Sequence, residues 1–223
     1  ALAQAGARVT LLARQADNLV LLQSEMRAEG LEADYLALDI CDTAKMESTL
    51  AAQAPYEILV NSAGLARHSP ALQTIESDYD AVTNVNVKAA YFLTRAVAKS
   101  LVGAQRSGSL INVSSQMGLV GGIDRAVYCA TKHALEGMTK AMAVEWGPHK
   151  IRVNTLCPTF TRTPLAEQTL SIPARRKWIE DQIKLGRIAE VEDLMGAVVF
   201  LASDAAAMMT GTSLLIDGGW TAS

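Results

Sequence analysis

A tyrosine and a lysine four residues apart are the first pair in this sequence able to do chemistry together. They close the run Tyr128-Cys129-Ala130-Thr131-Lys132. On a helix that spacing puts both side chains on one face, a turn apart. A tyrosine titrates at about 10 and is a poor acid or base at neutral pH. A neighbouring ammonium favours the phenolate and lowers that value, which makes the pair a proton donor for a developing alkoxide. By itself the spacing arises by chance in many helical proteins, so three further patterns matter. Asn112-Val113-Ser114-Ser115 closes a strand-like run. A hydroxyl there lies where open α/β sheets place ligands, although a serine pair also suits a turn or a helix cap. Asn61-Ser62-Ala63-Gly64 follows another such run. Its small residues let backbone approach a flat ligand, or simply end a strand. Val85-Asn86-Val87-Lys88 sets Asn86 in an apolar helical stretch, where a polar side chain needs a buried partner.

The elements that must position these residues alternate along the chain. Strand candidates are Arg8–Ala13, Ala33–Leu38, Glu57–Val60, Gly108–Val113, Ile151–Leu156 and Ser213–Ile216. Helix-period segments run over Ala16–Glu29, Thr43–Gln53, Ser77–Val102, Arg125–Trp146 and Glu190–Ser203. Ala1–Gly6 reads as a helix tail ended by Gly6, and Thr163–Ile183 as an irregular, partly helical insert. Continuous apolar strands separated by helices predict a parallel sheet covered on both faces. Right-handed crossovers then give an α/β doubly wound, Rossmann-type fold, here one domain over 1–223.

Bulk composition narrows the function. The 223 residues are 50% apolar and 19% charged, with net charge −3, enough for one sizeable core. No basic stripe points to nucleic acid, and no apolar run approaches the roughly 18 residues of a membrane span. Cys41, Cys129 and Cys157 form no CxxC pair, as expected of reduced thiols in a cytoplasm. His68, His133 and His149 do not cluster, so no metal site is expected.

Taken together, the patterns resemble the short-chain dehydrogenase/reductase family. The likeness rests on Asn61-Ser62-Ala63-Gly64, Asn86, Ser115 thirteen residues before Tyr128, and the Tyr128/Lys132 pair. It extends to Arg152-Val153-Asn154 and Asp217-Gly218-Gly219. Individually the motifs are weak; their joint order and spacing are specific. The resemblance implies a nicotinamide-dependent oxidoreductase interconverting a carbonyl and a secondary alcohol. Tyr128 would be its acid or base, and Lys132 would lower the Tyr128 pKa and hold the nicotinamide ribose. Ser115 would orient the substrate oxygen. Asn86 would kink its helix and hold a water relaying protons to Lys132. Asp39 and Ile40 would lie at the adenine, with Asn61, Ala63 and Gly64 along the ribose and pyrophosphate. Pro158, Phe160, Thr161 and Thr163 would contact the nicotinamide amide. This segment departs from the family's PGxxxT pattern at Thr159, where glycine is usual, and at Thr161.

Charge suggests which nucleotide. The end of the second family strand usually carries an acid when the ribose 2′-hydroxyl is bound; here Ala13 stands there, followed by Arg14. A guanidinium without a competing carboxylate favours a 2′-phosphate, hence NADP(H) over NAD(H). That acid follows the glycine-rich fingerprint by about 20 residues. Counting back from Ala13 puts the fingerprint and the first strand before Ala1, outside this sequence. Gln116 and Arg125 are the candidate substrate-facing residues. They suggest a polar sugar, polyol or keto-acid, in line with a likeness to sugar and polyol reductases and gluconate dehydrogenases. A 3-oxoacyl-carrier-protein reductase or a non-catalytic nucleotide binder are the alternatives. The family's habit also suggests a homo-oligomer, tetramer or dimer.

Overall fold

Strands form where apolar runs must be buried on both faces, and the computed structural model, which describes residues 1–222, places six of them. They are β1 (Val9–Ala13), β2 (Ala33–Ala37), β3 (Ile58–Asn61), β4 (Gly108–Val113), β5 (Ile151–Pro158) and β6 (Ser213–Ile216). Every pairing is parallel, in the orders β1-β2 and β3-β4-β5-β6. β5 runs two residues beyond its predicted end because Cys157 and Pro158 continue the register opposite Leu215 and Ile216.

Helices cover both faces: α1 (Ala16–Ala28), α2 (Thr43–Ala51), α3 (Glu76–Thr83), α4 (Ala90–Gly103), α5 (Ala126–Trp146), α6 (Pro164–Leu170), α7 (Pro173–Gln182) and α8 (Glu192–Ala202). Alternation along β4 sends Leu110 to one face and Ile111 to the other. Leu110 joins Leu93, Val97 and Leu101 of α4 and Met142 of α5. Ile111 joins Leu156 and Leu201, against α8. This is the expected doubly wound α/β arrangement.

Two details differ from expectation. The helix predicted over Ser77–Val102 is α3 and α4 joined by a π-turn over Asn84–Ala89. Ala1–Gly6 is a turn rather than a regular helix, but it ends like one: Gly6 sits at φ 91°. Its N–H donates to Ala3, and that of Ala7 to Leu2, the bonding of a glycine-terminated helix end. The sheet is in two pieces, as expected with the first family strand outside this sequence. β1 and β3 line a slot of about 690 Å3 between them, roofed by Leu93 and Val97. Among the described residues, no helix is long and apolar enough to cross a membrane.

Candidate active site

The carboxyl ends of β3, β4 and β5 open into a cleft of about 680 Å3, and α5 brings Tyr128 and Lys132 to it. β4 ends at Val113, and Ser115 caps the short turn that follows. Its Oγ accepts from Met117 N at 3.1 Å and donates to Gln116 Oε1 at 3.2 Å. Lys132 is 4% exposed. Its Nζ donates to the Val113 carbonyl at 2.9 Å and lies 5.6 Å from the Tyr128 ring centre. Burial pulls the Lys132 ammonium down to about 8. Burial also pushes the Tyr128 phenol above its ordinary value, and the Ser115 hydroxyl and Arg125 guanidinium offset part of that. Lys132 is not among the groups that act on the Tyr128 phenol in this arrangement. Desolvation wins, and the cation that favours the phenolate is Arg125.

Asn86 sits in the π-turn, 1% exposed. Its amide nitrogen donates to the Leu65 carbonyl at 2.9 Å and to Thr131 Oγ1 at 3.1 Å, and its oxygen accepts from Leu65 N at 2.8 Å. Thr131 Oγ1 in turn donates to the Tyr128 carbonyl at 2.8 Å. The backbone around Asn86 is a π-turn rather than regular α-helix, and the side chain ties the loop after β3 to the helix that carries Tyr128.

The other predicted residues divide between two places. Gln116 and Arg125 line the cleft beside Ser115 and Tyr128, although Gln116 is only 1% exposed. Pro158, Phe160, Thr161 and Thr163 line it from the end of β5, and Gly64 from the loop after β3. Thr163 also caps α6, accepting from Ala166 N at 3.3 Å. Asn61, Ala63 and Ile40 line the slot instead. The Asn61 carboxamide donates to Asn112 Oδ1 at 3.1 Å and accepts from Ala63 N at 3.3 Å, so it braces β3 against β4. Ile40 is buried in the core. Arg14 and Asp39 line neither space; Arg14 is exposed just past β1, and Asp39 Oδ1 accepts from Cys41 N at 2.9 Å. Slot and cleft share Val60 and Ser62, so they adjoin.

Sequence reasoning missed three groups. His68 lies with its ring edge-on to Tyr128, centres 5.7 Å apart. Ser114 Oγ and Thr159 Oγ1 line the cleft, buried without a hydrogen-bond partner among the described residues. Each such orphan costs about 1–3 kcal/mol, and a polar ligand in the cleft would relieve it. With Lys132, Ser115 and Tyr128 beside them, these hydroxyls fit the amide and ribose of a nicotinamide nucleotide. Behind the cleft, buried Glu136 accepts from Thr155 Oγ1 at 2.8 Å and Ser213 Oγ at 2.5 Å, cross-linking α5 to β5 and β6. A lone glutamate in a helix gave no signal for that network.

Known proteins share this layout. A family model described as enoyl-(acyl carrier protein) reductase matches residues 1–221. The chain is 41% identical over 223 residues to D-erythrulose reductase of Gallus gallus, covering 100% of this chain and 89% of that protein. It belongs to the short-chain dehydrogenase/reductase family. L-xylulose reductase of Bos taurus is 40% identical over 222 residues, with the same 100% and 89% coverage. A gluconate 5-dehydrogenase from Burkholderia cenocepacia, solved with NADP and tartrate, superposes with TM-score 0.96 at 30% identity. The match covers 100% of this chain and 88% of that one. As a short-chain dehydrogenase/reductase, this protein is an oxidoreductase acting on CH–OH groups of a small molecule with NAD(P).

Proposed function

We propose that this protein interconverts the carbonyl and secondary alcohol of a small polyhydroxylated substrate, a sugar, polyol or keto-acid, with NADP(H) preferred. The observation that carries the reading is the convergence of Ser115, Tyr128 and Lys132 on one cleft at the carboxyl ends of the strands. Relatives named for erythrulose, xylulose and gluconate support the substrate size.

The nicotinamide, when bound, supplies or accepts the hydride. Ser115 Oγ donates a hydrogen bond to the substrate oxygen and steadies its developing charge. Tyr128 donates its hydroxyl proton to that oxygen in reduction and takes it back in oxidation. A phenol held protonated by burial is poised for reduction at neutral pH. Lys132 holds ribose hydroxyls while its ammonium remains against the Val113 carbonyl. Asn86 touches no reacting atom in this scheme; it is a positioning residue. Pro158, Phe160, Thr161 and Thr163 hold the nicotinamide side. Arg14 pairs with the 2′-phosphate, and Asp39, Ile40, Asn61, Ala63 and Gly64 follow the rest of the nucleotide. The test is NADPH oxidation with erythrulose and xylulose, and NADP+ reduction with gluconate, by the purified protein. No turnover of any of them would refute the substrate assignment.

We also propose a homo-oligomer, dimer or tetramer. Exposed apolar side chains on α3 and α5, Tyr79 and Val144, support it. Light scattering that reads only monomer would exclude it.

A further inference from the structure

The mouth of the cleft carries a cation with no carboxylate of its own. Arg125, just before α5, lines the cleft and forms no ion pair among the described residues. Its Nη1 donates to His68 Nε2, and its guanidinium carbon lies 5.0 Å from the centre of the Phe160 ring. Arginine can only donate, so His68 accepts at Nε2 and is the neutral tautomer with its proton on Nδ1. Partial burial and the Arg125 charge hold His68 down at about 4, so at neutral pH it brings no charge. The other charged groups nearby already have partners: Arg175 lies 3.8 Å from Asp124, and Arg67 is paired with Asp78. The positive charge of Arg125 is left over. Burial lowers the Arg125 pKa, the mark of a desolvated guanidinium. Its planar fork suits a carboxylate held by two hydrogen bonds, which no hydroxyl can match.

We infer that Arg125 anchors a carboxylate of the substrate, so that the protein acts on a small hydroxy or keto acid in preference to a neutral polyol or ketose. His68 is the positioning residue that aims the guanidinium. This deepens the proposed function and rests on it. Phe160 beneath the guanidinium and His68 beside it leave Arg125 few ways to turn. The same imidazole packs in a T-shaped pair with Tyr128, so the anchor and the proton donor share one support.

The experiment compares matched acids and alcohols, gluconate against glucitol and xylonate against xylitol, by kcat/KM with NADP+. Calorimetry with tartrate and its neutral counterpart threitol runs alongside. The unmodified protein is expected to favour the acids by about 10- to 100-fold, the worth of a charge-assisted pair. Arg125→Met should bring that ratio near unity through the KM of the acid. His68→Phe keeps a ring against Tyr128 but loses the acceptor, so it should raise the acid's KM with little change in kcat. His68→Gln, whose amide oxygen can accept, should restore it. Equal use of acid and alcohol by the unmodified protein would overturn the inference, as would absence of tartrate binding. Turnover of the neutral alcohols alone would remove the anchor and leave the oxidoreductase standing. Tartrate binding without turnover of any of the four would do the reverse.

Discussion

The two ends of the crevice are built differently. At the Tyr128 end the polar side chains are buried and tied down: Lys132 to the Val113 carbonyl, Ser115 to Met117 and Gln116, Asn86 to Leu65 and Thr131. At the Arg14 end the charged side chain is exposed. The contrast separates two tasks. A proton donor must be held to within fractions of an ångström of its target, which requires a desolvated, hydrogen-bonded frame. Choosing between two nucleotides requires only a charge within reach of a phosphate, the role proposed above for the exposed Arg14.

Substitutions at the two ends should therefore fail in different ways. The largest expected effect is at the buried end. Tyr128→Phe should lower kcat by about 100- to 10,000-fold while nucleotide binding, followed by tryptophan-to-NADPH energy transfer, stays within a few-fold. Near-normal turnover by that variant would remove Tyr128 as the proton donor. Ser115→Ala should cost about 100-fold in kcat, with a smaller change in KM. At the exposed end, Arg14→Ala should leave kcat intact and reduce the NADPH-over-NADH ratio in KM by about tenfold, the loss of one charge-assisted contact. An unchanged ratio would show that the two ends do not divide the work in this way.

pH sharpens the same comparison. Lys132 titrates at about 8, so its ammonium is present below that value and lost as pH rises through it. Reduction should decline on the alkaline side of about 8. Oxidation, which needs the Tyr128 phenolate, should gain as pH rises, because burial holds the phenol above its ordinary value. The smallest effect is on stability. His68 sits at about 4 in the folded protein against 6.5 when free. As pH falls below 6.5 the unfolded chain takes up a proton that the folded chain refuses, so stability declines between 6.5 and about 4 and levels off below. The melting temperature of His68→Gln should lack that slope.

What could be read from the sequence follows from how local the signal is. Apolar runs such as Gly108–Val113 and Ser213–Ile216 mark strands by themselves, and both fall where expected. Tyr128 and Lys132 share one helix, so their spacing alone brings them together. The contacts that correct the reading join distant segments. His68 meets Arg125 across 57 positions and Glu136 meets Ser213 across 77, and neither pairing leaves a periodic trace. The protonation of Tyr128 is non-local in the same way. Spacing reports which charges are near, whereas burial depends on everything packed around the ring. Asn86 was recognised as a buried polar residue in a helix, but the π-turn around it depends on where Leu65 and Thr131 lie.

That π-turn has a consequence for the length of the chain. It fits one residue more than an α-helical turn would, so α3 and α4 keep their faces in phase across the added residue. Removing a single residue there, such as Val87, would let Asn84–Ala89 relax into regular α-helix with α4 in nearly the same rotational phase. Leu93, Val97 and Leu101 would still face the core together, but Asn86 would lose the place from which it reaches Leu65 and Thr131. The same one-residue deletion between Leu119 and Asp124 would only reshape the entrance of the cleft. Helical phase thus sets what a deletion costs at Asn84–Ala89: the core packing of α4 survives the loss of the added residue, while the tie from Asn86 to the helix that carries Tyr128 does not.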